Sequence, residues 1–161
     1  MIKKLNLFFL TFCMIGKIKY APGTFASLTT CLLFLALINI INITVLFLIT
    51  LIIFFYSFVA INNSFDAFDS EDPQEIVIDE VVGQMLPLLA IPIYETLYPL
   101  PTLYYCATAF VFFRLFDIWK PYPINYVDNK IKGASGILFD DIFAGFYSII
   151  IISLILFFLG G

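Results

Sequence analysis

The chain has 161 residues, 62% of them hydrophobic and only 12% charged, with mean hydropathy +1.04 and formal net charge −4. A soluble domain usually carries about 25% charged residues, so the apolar surplus excludes an ordinary water-facing surface and calls for lipid contact, within one domain over 1–161. Histidine is absent, which excludes every mechanism that needs an imidazole, and no basic block is dense enough to bind nucleic acid.

Lys3 and Lys4 precede the apolar run Leu5–Ile15 without a small-x-small cleavage site, so this stretch is expected to remain as a short helix at the interface or re-entrant. Residues 24–62 are apolar apart from Asn39 and Asn42. One helix of that length would far exceed a bilayer core of about 30 Å, so two helices are predicted, at about 24–39 and 43–62. A polar, acidic loop covers 63–78, with Asp66, Asp69, Ser70, Glu71, Asp72 and Pro73. A third apolar helix is expected over 79–92, ending near Pro92, and Pro99 and Pro101 mark a turn beside Glu95. A fourth spans 102–119, stopped by Pro121 and Pro123. After a loop with Lys130, Lys132, Gly133 and Gly136, the last helix covers 138–159. Cys13, Cys31 and Cys106 lie singly in apolar runs and read as buried small side chains, without metal-ligand spacing.

The fold class is therefore all-α: a polytopic bundle of about five membrane-embedded helices with a short N-terminal interfacial helix. Five crossings put the N-terminal segment, the 63–78 loop and the 119–137 loop on one side. All eight basic residues fall on that side or at its boundary, which makes it cytoplasmic by the positive-inside rule.

The polar clusters share that face. Ala21-Pro22-Gly23-Thr24 with Ser27 reads as a turn into a helix, with Thr24 as a cap and the free N–H groups able to take a phosphate. Asp79-Glu80 opens an apolar helix, and Gly83, four residues after Asp79, lets a neighbouring helix come close to the acid. Arg114, Asp117 and Lys120 recur at intervals of three along one helix face. Gly133-x-x-Gly136 leads to Asp140-Asp141, again opening an apolar helix, with Ala144 and Gly145 four positions on.

Five carboxylates with one arginine and one lysine suit phosphoryl transfer. Carboxylate oxygens bind Mg²⁺, which polarises a phosphoryl oxygen, and Arg and Lys offset phosphate charge. Other phosphatase chemistries lack their residues: no cysteine is followed by arginine at the sixth position, and no Asp-x-Asp pair is present. A transporter would place acids at mid-membrane, whereas these lie at helix ends.

These blocks, in this order and spanning about 16–145, resemble phosphatidylglycerophosphatase A, a bacterial membrane lipid phosphatase. The matching segments are Ala21–Thr24 with Ser27, then Asp72 and Ile76–Gly83, then Phe113–Ile124, then Gly133 to Gly145. The resemblance implies Mg²⁺-dependent conversion of phosphatidylglycerophosphate to phosphatidylglycerol in the bacterial cytoplasmic membrane. On this reading Asp79, Glu80, Asp117, Asp140 and Asp141 are the catalytic and metal-binding acids, and Thr24, Arg114 and Lys120 hold the substrate phosphate.

Overall fold

The computed structural model describes residues 2–64 and 74–160, and within them every regular element is helical. The acidic residues Asp66, Asp69, Glu71 and Asp72, with Ser70 and Pro73, lie outside the described residues. In chain order the helices are α1 (Ile2–Leu10), α2 (Pro22–Leu37), α3 (Ile43–Ser64), α4 (Ile78–Leu89), α5 (Ile91–Leu97), α6 (Thr102–Trp119), α7 (Ile124–Lys130) and α8 (Ala134–Gly160). A single 3-10 turn, Ile15–Lys17, joins α1 to α2.

Four boundaries differ from expectation, each for a local reason. The N-terminal helix stops at Leu10, because Phe12, Cys13 and Met14 all take left-handed backbone angles, and Cys13 is exposed rather than buried. Thr24 is not the cap of α2: Ala21 holds that position in a left-handed conformation, and Pro22 opens the helix, where its missing N–H costs nothing. The apolar run 79–92 is broken near Ala90, and Pro92 lies in the first turn of a new helix, α5, instead of ending the old one. The last helix begins at Ala134, not 138. Gly133, at φ 71°, redirects the chain, and its carbonyl already accepts the Ile137 N–H at 3.2 Å. Asp140 and Asp141 therefore sit in the second turn of α8 rather than opening it. The segment expected as a loop before it contains α7.

Helix α4 lies at the centre, against α2, α3, α6 and α8, while α6 and α7 also pack on α8. Small residues set the closeness of α4 and α8. A Cβ on Gly83 would stand 2.7 Å from the Asp141 carbonyl oxygen, and one on Gly145 would stand 2.5 Å from that of Gly83. Ala144 is fully buried. The glycines thus bring a second helix against the acids, as their spacing predicts.

At one end of the bundle Leu10, Ala26, Ile61, Val77, Ile78 and Leu138 form a core beneath the polar clusters. The backbone N–H of Val77 donates to the Leu10 carbonyl at 3.0 Å, tying the start of α4 to α1. At the other end Phe34, Leu88, Ile91, Tyr94, Tyr105 and Ile152 pack together, and the Tyr105 hydroxyl donates to the Tyr98 carbonyl at 2.6 Å. Two helical stretches, Ile43–Ser64 and Ala134–Leu159, are long and apolar enough to cross a membrane by length and composition.

Candidate active site

The polar clusters meet in one cavity of about 500 Å³ at the end of the bundle where α2, α4 and α8 begin and α6 ends. Asp79 and Glu80 enter from the first turn of α4. Arg114 and Asp117 come from the last turns of α6, and Lys120 from the residue that follows it. Asp140 and Asp141 come from α8. All seven line the cavity. Thr24 is not among its lining residues; Ala21, Pro22 and Gly23 are. Ser27 is buried and donates its hydroxyl back to the Gly23 carbonyl at 2.9 Å, so it serves its own helix.

Helix spacing makes the first pairing. Arg114 and Asp117 are one turn apart on α6, and Arg114 Nη1 lies 2.5 Å from Asp117 Oδ2 and 3.9 Å from Glu80 Oε1. Gly23 leaves room for this group: a Cβ there would collide with the Glu80 carboxylate and come within 3.2 Å of Arg114 Nη1. Lys120 departs from the regular stripe, because it caps α6 in a left-handed conformation at φ 47°. From there its ammonium reaches Asp128 of α7 and Asp140 of α8, the latter at 2.7 Å. Burial alone would lower the Lys120 pKa, but the carboxylates of Asp140 and Asp128 outweigh it and raise it above its ordinary value. Lys120 therefore stays cationic throughout the neutral range.

The carboxylates are close enough to share a cation. Oxygens of Asp79, Glu80 and Asp141 lie within 4.8 Å of one another, and so do oxygens of Asp117, Asp140 and Asp141. Asp141 is 3% exposed and Asp140 7%. Asp140 Oδ1 accepts the Asp141 backbone N–H at 3.0 Å. Buried oxygens of Asp79 (Oδ1), Glu80 (Oε2) and Asp141 (Oδ1) have no hydrogen-bond partner. Leaving a buried carboxylate oxygen unpartnered is costly, so these atoms are suited to a cation. The donor set is oxygen alone, which fits Mg²⁺ and not a soft metal.

Three polar residues at or beside the cavity are not among the site residues expected from the sequence. Asp128, the second partner of Lys120, lies on α7, a short helix between prolines whose approach to α8 no spacing rule foretells. Lys132 lines the cavity from the turn before α8. Gln84 is fully buried on α4, with both amide atoms unpartnered, one turn beyond Glu80. A glutamine on an apolar helix gave no distinguishing signal.

Comparison with known proteins shows the family of the chain. The family model described as phosphatidylglycerophosphatase A matches residues 8–156. A protein of Bacteroides thetaiotaomicron named "Putative phosphatidylinositol-3-phosphatase" is 35% identical over 86% of this chain and 85% of its own. Phosphatidylglycerophosphatase A of Haemophilus influenzae is 33% identical over 85% of this chain and 80% of its own. The Escherichia coli protein of that name is 39% identical over 48% of this chain and 41% of its own. No solved structure matches.

Proposed function

The chain belongs to the phosphatidylglycerophosphatase A family of lipid phosphatases, and from that footing we propose that it hydrolyses phosphatidylglycerophosphate to phosphatidylglycerol and phosphate, with Mg²⁺, at the cytoplasmic face of a bacterial inner membrane. The observation that carries the proposal is the meeting of five carboxylates with Arg114 and Lys120 in one cavity, contributed by helices far apart in sequence. Asp79, Glu80, Asp117, Asp140 and Asp141 would hold the metal. When bound, Mg²⁺ neutralises phosphate charge and polarises the phosphoryl group.

The chain's own groups complete the site. Arg114, fixed by Asp117, and Lys120, fixed by Asp128 and Asp140, bring positive charge to the phosphate without rearranging. Gly23, buried at the start of α2, lets the Glu80 carboxylate and the Arg114 guanidinium pack directly against that helix. Thr24 does not line the cavity, and its backbone N–H donates to the Ala21 carbonyl at 3.0 Å, so the phosphate is left to Arg114 and Lys120.

A membrane setting is supported by the surface. In the most apolar 18-residue stretch of each candidate span only 22% of the residues are buried, whereas a core helix of a soluble protein is mostly buried. Phe47, Leu48, Ile52, Phe55 and Val59 are exposed along α3, as are Phe157 and Phe158 near the end of α8. Trp119, Tyr122 and Tyr126 stand exposed at the cavity end, where an aromatic belt would meet headgroups. We assign five crossings to α2, α3, α4 with α5, α6 and α8, in a single domain. The shorter α2 and α6 would be accommodated by local thinning of the bilayer.

One relative's name favours a second substrate, phosphatidylinositol 3-phosphate. Both lipids present a phosphomonoester at the bilayer edge, so the discriminating experiment is phosphate release from each in mixed micelles at equal surface concentration. Faster turnover of phosphatidylglycerophosphate, by tenfold or more, is expected. The reverse preference would reassign the substrate, and hydrolysis of neither would defeat the reading.

A further inference from the structure

We propose that the cavity holds two divalent cations, not one, with the Asp141 carboxylate shared between them. The inference deepens the Mg²⁺ reading above and rests on it. Its first support is geometric. The acids do not form one cluster but two groups of three, Asp79–Glu80–Asp141 and Asp117–Asp140–Asp141, and Asp141 alone belongs to both. Within each, the oxygens lie within 4.8 Å of one another. A Mg²⁺ bound at about 2.1 Å spans about 3 Å between adjacent and about 4.2 Å between opposite ligands, so each group would draw inward around an ion.

The second support is the state of the shared residue. Asp141 is 3% exposed, faces the cavity, and has a buried Oδ1 without any hydrogen-bond partner. Its neighbour Asp140 is already held by Lys120 and by the Asp141 backbone N–H. The ion pairs of Arg114 and Lys120 go to Glu80, Asp117, Asp128 and Asp140 and not to Asp141. Its position is also fixed from behind, because Gly83 packs against its backbone. A buried carboxylate with an oxygen lacking a hydrogen-bond partner, at the junction of two acid groups, suits a bridging ligand.

Charge balance points the same way. Six carboxylates, Asp79, Glu80, Asp117, Asp128, Asp140 and Asp141, face three cations, Arg114, Lys120 and Lys132, across the cavity. With all ionised, the excess is three negative charges. One dication would leave the cavity negative before a phosphate dianion arrives, and two would reverse its sign. Cations about 3.5–4 Å apart are a recurrent arrangement where a phosphoryl group is transferred.

The test uses Mn²⁺ alone as the probe, with purified full-length protein in detergent. Equilibrium dialysis gives the number of ions per chain, and electron paramagnetic resonance tells a spin-coupled pair from isolated ions. Two Mn²⁺ per chain with a coupled spectrum are expected. Glu80→Gln and Asp117→Asn should each leave one ion with an uncoupled spectrum, and Asp141→Asn should abolish the coupling. Asp66→Asn with Asp69→Asn should leave both ions in place. Saturation at one ion per chain, or two ions without coupling, would overturn the shared-ligand proposal and leave the metal-dependent phosphatase standing. No bound ion would overturn both. The wild-type count and spectrum decide the question even if a variant fails to fold.

Discussion

Asp141 shows how a residue that looks costly for folding serves the site. It is buried, lies near Asp79, Glu80, Asp117 and Asp140, and has an oxygen without a partner. Crowded carboxylates repel one another without a cation, so removing one charge relieves the apo protein while weakening the bound metal. Asp79→Asn, Asp117→Asn and Asp141→Asn should each lower turnover by at least 100-fold, on the scale of lost electrostatic stabilisation, without lowering the thermal midpoint measured with chelator. Asp66→Asn and Asp69→Asn, in the acidic segment outside the cavity motifs, should change neither. Near-native turnover in all three motif variants would remove the metal-centre assignment. At this scale the sequence was informative where charge stood against hydrophobicity. Asp79-Glu80 and Asp140-Asp141 are conspicuous because each pair stands against an apolar run. Asp128 is not, because a carboxylate in a polar segment is unremarkable until the fold brings it to Lys120.

Among the elements, the pair α4 and α8 positions the acids, and two glycines set the distance between them. A methyl group on Gly83 would meet the Asp141 carbonyl oxygen at 2.7 Å and the Phe113 ring at 2.8 Å. The ring can turn, but the backbone of α8 cannot yield without moving Asp141. Gly83→Ala should therefore cost about 1–3 kcal/mol by overpacking and reduce turnover as well, read from thermal unfolding and initial rates on the same preparation. A variant with native rate and native midpoint would show that the close approach does not position the site. Helix existence and the Gly83 and Gly145 packing were legible from apolar runs and four-residue spacing. Helix ends were less so. Whether Pro92 ends a helix or begins one depends on the angle taken at Ala90, and the start of α8 depends on the left-handed Gly133. Both are single backbone angles, which an apolar run does not specify.

Across the whole molecule, the proposed function requires one cytoplasmic face that gathers the start of α2, the start of α4, the end of α6 and the start of α8. In a cysteine-free background, Asn129→Cys should react with a membrane-impermeant thiol reagent only in inverted vesicles, and Thr102→Cys only in right-side-out cells. Labelling of both from the same side would break the five-crossing arrangement. The all-helical class followed from composition and periodicity, but the number of crossings did not. α3 and α8 satisfy a simple length test, while α2, at 16 residues, and the broken α4–α5 segment depend on packing and bilayer thickness.

The most direct measurement is phosphate release from phosphatidylglycerophosphate by the purified protein, first stripped of metal and then titrated with Mg²⁺, alongside Asp141→Asn. The stripped wild type should be inactive and recover fully with Mg²⁺, and Asp141→Asn should stay at least 100-fold below it at saturating Mg²⁺. Full activity in the metal-stripped wild type, or an Asp141→Asn protein that matches it, would contradict a metal-dependent phosphatase built on these carboxylates.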